Sequence, residues 1–230
     1  QIPSLDIYLS FAGGENLVRL EREFGAKRAL PLYCSVQAER YRPTGEETRW
    51  DLGYVGTYSS DRQPGLERLL LEPARRLPDR RFLVAGPQYP DIAWPSNVER
   101  IEHLSPAVHA SCYSRQRFTL NLTRADMTLA GWSPSVRLFE AGACRTPVIS
   151  DVWRGIEELF PDGEAIFLAQ SSEDVVRILT ETGEAEREAV AEAAQARVLR
   201  EHTGEKRAEQ LLQFLNRLAS TKALTRTYQS

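Results

Sequence analysis

The chain has 230 residues, 42% of them hydrophobic and 27% charged, with a formal net charge of −3, which describes an ordinary globular protein long enough to bury a substantial core. That charge excludes a broad nucleic-acid surface or a polybasic membrane patch, both of which need clustered Lys and Arg, so any anion site must be local. No apolar run approaches the roughly 20 residues that cross a bilayer, and the N-terminus lacks a signal-peptide pattern, so a cytoplasmic location is the simplest expectation. Cys34, Cys112 and Cys144 are far apart and form no C-x-x-C pair, which supports neither a disulfide framework nor a zinc site and points to small buried hydrophobes.

The chain enters at Gln1-Ile2-Pro3 and turns at once into the apolar run Ile7 to Phe11, which reads as entry into the middle of a larger protein. Gly13-Gly14 suits a turn, or a face presented to a ligand across a cleft, and Leu17, Leu20 and Phe24 sit at helical spacing before a stop at Gly25. Residues 1–45 therefore form a remnant of an N-terminal domain with its linker, residues 46–220 a regular α/β domain, and residues 221–230 a tail. The expected strands are Leu52 to Gly56, Arg81 to Gly86, Val98 to His103, Phe118 to Thr123, Pro147 to Ser150 and Ala165 to Leu168. Expected helices are Gly65 to Arg76, Ala107 to Arg115, Pro134 to Cys144, Ile156 to Leu159, Glu173 to Thr180, Glu184 to Glu201 and Glu205 to Ala219. This alternation implies right-handed crossovers and a doubly wound, mainly parallel Rossmann-like sheet with helices on both faces. Glu184 to Glu201 has few large apolar groups and reads as a solvated helix, whereas Ala208, Leu211, Leu212, Leu215 and Leu218 form an apolar stripe that must dock on something.

The stretch from Gly131 to Asp151 is the most informative. Ser133 is a good N-cap and Pro134 suits the first helical position. The N–H groups of Ser135 and Val136 then lack an intrahelical acceptor and point out beside the positive helix end, favouring an anion, and Arg137 adds a charged donor fork. Glu140 lies on the same face, about 4.5 Å further along at about 1.5 Å per residue. That offset suits a ribose attached to a phosphate at the helix tip, because a carboxylate accepts hydrogen bonds from two sugar hydroxyls at once. The same residues also suit a plain amphipathic helix with an Arg137–Glu140 pair.

In an open parallel sheet, ligands bind beyond the carboxyl ends of the strands. The first such loop, Gly56-Thr57-Tyr58 with Arg62, offers close backbone approach, hydroxyls and a cation to a diphosphate, or is simply a polar turn. Gly86 and Tyr89 after the second strand, and His103 and Leu104 after the third, suit a nucleobase pocket with Tyr89 available for stacking, or a pair of tight turns. No G-x-G-x-x-G, P-loop or nucleophile elbow is present, the three histidines form no metal array, and Asn121-Leu122-Thr123 falls within an expected strand, making its glycosylation pattern incidental. Asp126 and Asp151, at strand ends, read as turn or cap residues with acid–base work as the alternative, and no catalytic base stands out.

Ser135-Val136-Arg137-Leu138-Phe139-Glu140-Ala141, Thr146 to Asp151, Gly155 to Phe160 and Asp162-Gly163-Glu164, with weaker support from Tyr54 to Tyr58, Leu32 to Val36, His202-Thr203 and Arg207-Ala208, carry a resemblance to a known family. The chain from about Tyr33 to Leu218 resembles the C-terminal half of GT-B fold glycosyltransferases of group 1, in the CgeB-like branch. The resemblance implies a nucleotide-sugar donor bound by this domain, an acceptor held by the N-terminal half of the same protein, and catalysis between the two. Glu140 looks like the family's ribose-binding glutamate, and the helix start before it like the diphosphate cradle. Many relatives carry a second glutamate eight residues earlier, which contacts the donor sugar; Trp132 stands there instead. With helix-end N–H groups, Arg62 and Arg137 meeting the charge on the leaving diphosphate, no metal or cofactor is expected. The alternatives are a non-catalytic α/β module with a decayed nucleotide site, serving coat assembly or regulation, and a nucleotide-sugar epimerase.

Overall fold

The computed structural model describes residues 2–227, with side chains through Ser220. Its centre is a six-stranded, all-parallel sheet built from β3 (Trp50–Val55), β4 (Phe82–Ala85), β5 (Val98–Ile101), β6 (Gln116–Asn121), β7 (Val148–Ser150) and β8 (Phe167–Leu168), in the order β5-β4-β3-β6-β7-β8. Counted from β3, this is the doubly wound order in which the winding direction reverses between the first and fourth strands, leaving a crevice at their carboxyl ends. All six expected strands occur. Every residue of β4 is buried, as expected of a strand covered on both faces.

The first face carries α2 (Gln63–Leu66), a π-helical stretch from Glu67 to Leu71, α3 (Glu72–Arg76) and α8 (Ser172–Glu181). Leu66, Leu69, Leu70 and Leu71 meet Leu52, Phe82 and Phe118 there. Ser171 and Asp174 cap α8 reciprocally, each side chain engaging the other's main-chain N–H. The opposite face carries α4 (His109–Ser114), α6 (Val136–Ala143) and α9 (Glu184–Glu201), around Leu138, Phe139 and Ala141. In α9, expected to be a solvated helix with modest packing, Val190, Ala191, Ala194 and Val198 form a buried stripe of small residues. A Cβ at Gly142 of α6 would stand 2.8 Å from Val198, so the scarcity of large side chains is what lets the two helices approach closely.

Ahead of the sheet, β1 (Tyr8–Ser10) and β2 (Ala29–Pro31) pair in parallel around α1 (Glu15–Arg22), which buries none of its residues. Two further elements, the helix α5 (Ala125–Ala130) and the strand β2, are not among those the sequence predicts. The short α7 (Ile156–Leu159) lies where expected. The last helix, α10 (Gly204–Thr227), extends beyond residue 220, where the sequence suggests a tail. It docks on the linker through Arg207 Nε, which donates to the Tyr33 carbonyl at 2.9 Å, and through Gln210, which donates to the Pro31 carbonyl at 3.4 Å. Its expected stripe is not fully covered: Leu212 and Leu215 are 59% and 48% exposed. Among the described residues no helix is long and apolar enough to cross a membrane.

His202, between α9 and α10, is buried and stacks on Phe139 with ring centroids 4.5 Å apart. Burial, reinforced by the Arg207 guanidinium, lowers its pKa to about 4. Above an unfolded value of about 6.5 the ring is neutral in both states, so it contributes no pH dependence there. As pH falls from about 6.5 towards about 4, the unfolded chain takes up a proton that the folded chain refuses, which costs up to about 3 kcal/mol of stability. The urea midpoint should therefore fall over that window, and His202→Asn should remove this part of the slope while leaving the remainder, set by other groups, in place.

Candidate functional site

At the crevice, Asn121 closes β6 and ties three elements together. Its Oδ1 accepts from the Ser135 hydroxyl at 2.7 Å and from Arg137 Nη1 at 2.9 Å, and its Nδ2 donates to the Ser150 hydroxyl at 2.9 Å. Arg137 completes the tie by donating from Nε and Nη2 to the Val55 carbonyl, at 2.9 and 2.6 Å, with its guanidinium 4.8 Å from the centre of the Tyr54 ring. Three of the five guanidinium N–H groups are thereby committed to protein. Arg137 is buried, and its main task is to hold the start of α6 against the end of β3. Asp151, half-buried just past the end of β7, accepts from the main-chain N–H and hydroxyl of Thr123; desolvation raises its pKa and these bonds oppose the rise.

The helix start differs from the expectation. The N-cap is Ser135, not Ser133, and α6 begins at Val136. Pro134 lies in the extended approach, and the buried Ser133 hydroxyl turns back to the Gly131 carbonyl at 2.9 Å, which removes Ser133 from the helix tip. Ser135 contributes no side-chain cap because its hydroxyl is taken by Asn121. The first bond of the turn runs from Leu138 N to the Ser135 carbonyl at 3.2 Å, so the amides of Val136 and Arg137 are left as helix-end donors.

These amides border a cavity of about 380 Å³ that also takes in Gly56 and Thr57 after β3, Gly86 after β4, His103 and Leu104 after β5, and Glu140 of α6. Seven of the residues expected at a nucleotide site thus share one cavity: Gly56, Thr57, Gly86, His103, Leu104, Val136 and Glu140, with Arg137 in the wall. Gly86 has φ +147°, and a Cβ there would stand 2.1 Å from the Gly56 carbonyl oxygen, so only glycine lets the two loops close this end.

Three expected residues are elsewhere. Tyr89 is not a free stacking platform: its ring is packed edge-on against Tyr58 and Trp94, covered by Arg100 at 4.4 Å, and its hydroxyl donates to the Gly56 carbonyl at 3.2 Å. Tyr58 shares that cluster, and its amide is taken by the Pro87 carbonyl at 3.0 Å. Arg62 donates to the Thr57 carbonyl at 2.7 Å and lines a separate cavity beside Asp151 and Gln170, beyond the carboxyl ends of β6 to β8. It supports the loop from beneath and does not face the first cavity.

Two tyrosines at or behind the wall of the first cavity carry no signal in the sequence. Tyr113 of α4, 1% exposed, donates to Glu140 Oε2 at 3.1 Å. Tyr41 of the linker approaches the same carboxylate and lies 3.5 Å from His109 Nδ1. Burial first, and Glu140 second, raise the pKa of both tyrosines.

Trp132, at φ +44°, has its ring wedged between two glycines, such that a Cβ at Gly14 or Gly155 would fall 2.1 or 2.2 Å from ring atoms. Its Nε1 donates to Glu158 at 3.0 Å, its carbonyl accepts from Gly13 at 2.9 Å, and Asn16 donates to the adjacent Ala130 and Gly131 carbonyls. Gly13-Gly14 thus seats the segment before the sheet on this loop and does not line the cavity.

A six-stranded, doubly wound parallel sheet with helices on both faces is the architecture of the Rossmann-like domains found in GT-B glycosyltransferases. A sequence profile of the family described as glycosyl transferase-like matches residues 62–213, and the chain belongs to that family. No curated protein matches the chain in sequence. Among solved structures, it is similar to a sucrose-phosphate synthase from Thermosynechococcus elongatus, with TM-score 0.71 and 15% identity over 96% of this chain and 60% of the other. It is also similar to the Anabaena protein HepE in complex with UDP-glucose, with TM-score 0.73 and 13% identity over 92% of this chain and 64% of that one. A third likeness is to the C-terminal domain of a glycosyl transferase group 1 family protein from Francisella tularensis, with TM-score 0.57 and 15% identity over 74% of this chain and 99% of that domain. The chain therefore spans less than two thirds of the first two proteins.

Replacing Arg137 by Met leaves the Val55 carbonyl and Asn121 Oδ1 short of donors in a buried site, a loss of about 2–4 kcal/mol. Chemical denaturation should show that loss, with Arg137→Lys, which cannot reproduce the fork, recovering less than half of it.

Proposed function

We propose that this chain is the donor-binding half of a glycosyltransferase that moves a sugar from a nucleoside-diphosphate sugar to an acceptor held by the N-terminal half of the same protein. The observation that carries the reading is the convergence of Glu140, the Val136 and Arg137 amides, and the loops after β3, β4 and β5 on one cavity at the crevice of the sheet. In this reading the nucleobase lies against Gly86, His103 and Leu104, the ribose hydroxyls donate to Glu140, and the diphosphate sits at the start of α6 beside Gly56 and Thr57. The UDP-glucose complex of the similar Anabaena protein supports a donor of this chemical class. The motif around Ser135 to Ala141 supports placement in the CgeB-like branch.

Mechanism follows from charge. As the bond between sugar and phosphate breaks, negative charge grows on the departing diphosphate, and main-chain donors fixed at a helix end stabilise that state more than the ground state. The proposal of metal-independent transfer rests on these donors. Arg137 acts mainly by fixing them in place, with its two uncommitted N–H groups left for the ligand.

One observation favours a second reading, a non-catalytic module: at the position eight residues before Glu140 the chain has a clamped indole and not an acid able to contact a sugar. The same titration separates the two. A nucleoside diphosphate at a hundred times its Kd stabilises the folded state by about 2.7 kcal/mol, or roughly 5–10 °C in Tm for a chain of this size. One of UDP, GDP or ADP should produce that shift, and Glu140→Ala should abolish it; silence from all three would overturn the donor site in favour of the module.

A further inference from the structure

We propose that Tyr113, backed by Tyr41, is a positioning residue for Glu140, and that this clamp makes the cavity selective for ribonucleotides over their 2′-deoxy counterparts. The inference rests on the donor-site reading above and adds to it the class of nucleotide accepted.

Tyr113 is enclosed on all sides, and a buried hydroxyl needs a partner; Glu140 Oε2, at 3.1 Å, is the one it has among the described residues. Its main chain is fixed too, since its carbonyl accepts from the buried Thr146 hydroxyl at 2.9 Å. Tyr41 comes from a different part of the chain, ahead of β3, and its ring lies 6.5 Å from that of Tyr113. The carboxylate is therefore held by one phenol on the rigid helix α4, with a second ring from the linker packed behind it. A carboxylate has about four acceptor sites, and those not used by the phenol border the cavity.

Held this way, Glu140 is not free to swing to bulk water when a ligand fails to supply two hydroxyl donors. A nucleotide lacking the 2′-hydroxyl leaves an acceptor of a charged group unpaired against protein, and sites built to hydrogen-bond a hydroxyl reject analogues lacking it strongly for this reason. An unclamped glutamate would turn aside and discriminate less. Tyr113 thus contributes to selectivity without touching the ligand.

The test is calorimetric titration of UDP against dUDP, GDP against dGDP, and ADP against dADP, on the unmodified chain, Tyr113→Phe and Tyr41→Phe. For the base that binds, the ribonucleotide should be at least about tenfold tighter than its deoxy partner. Tyr113→Phe should compress that ratio to about threefold or less by weakening the ribonucleotide alone, whereas a packing role would weaken both members equally and preserve the ratio. Tyr41→Phe should compress it in the same direction by a smaller factor, and it carries the test if Tyr113→Phe does not fold. A ratio near one in the unmodified chain, or an unchanged ratio in the folded variants, overturns the clamp while leaving the donor site standing. Failure of every ribo and deoxy nucleotide to bind overturns the donor site itself, and the clamp with it.

Discussion

The fork of Arg137 joining the end of β3 to Asn121 of β6 is the contact on which the candidate site depends. A doubly wound sheet opens where its winding reverses, and the two strands there diverge in their connections and leave carbonyls facing the gap. Arg137 spans that gap, so the start of α6 is fixed relative to both strands at once. The direction of its first amides, the depth of Glu140 and the floor beneath Gly56 all follow from this single placement. The charge is enclosed, and its geometry makes that tolerable: the fork meets a carbonyl with two N–H groups, the amide oxygen of Asn121 with a third, and the face of Tyr54 with its plane.

Much of this was legible in the sequence because it is written locally. The alternation of short β-rich runs with helical stretches gave the parallel sheet, and the spacing of the helix start to Glu140 gave the essential offset within the site. Residues whose main chain forms a strand-end loop, such as Gly56, Gly86 and Leu104, were found by position alone, since every such loop opens on the same edge of the sheet. What was lost depends on partners distant along the chain. Ser133 and Pro134 look like a cap and first turn, but Asn121 captures the hydroxyl of Ser135 and pulls the cap two residues on. Tyr89 looks like a stacking platform until Arg100 covers its face. Tyr113 and Tyr41 carry no local signal for a site at all; only the fold brings a helix and a linker to one carboxylate.

The helices show the same division. Glu184 to Glu201 forms the helix its sequence predicts but packs more closely than its composition suggests, because alanines and valines count for little in a hydrophobicity pattern and for much where Gly142 lets a partner helix come close. In α10 the error runs the other way. Its leucines predict a stripe that docks, yet hydrogen bonds from Arg207 and Gln210 to main-chain carbonyls contribute to the seating, and two of the leucines are exposed.

The indole of Trp132 has a consequence for how this sequence can drift. Its flanks at Gly14 and Gly155 come from segments far apart in the chain, and neither tolerates a methyl group while the ring is in place. Enlarging either glycine is disallowed until the indole shrinks, and shrinking the indole first opens a void between the two. These three sites are thus bound into one evolutionary unit: they change jointly or not at all, and an acid can enter the middle position only through intermediates that loosen the seat of the segment preceding the sheet.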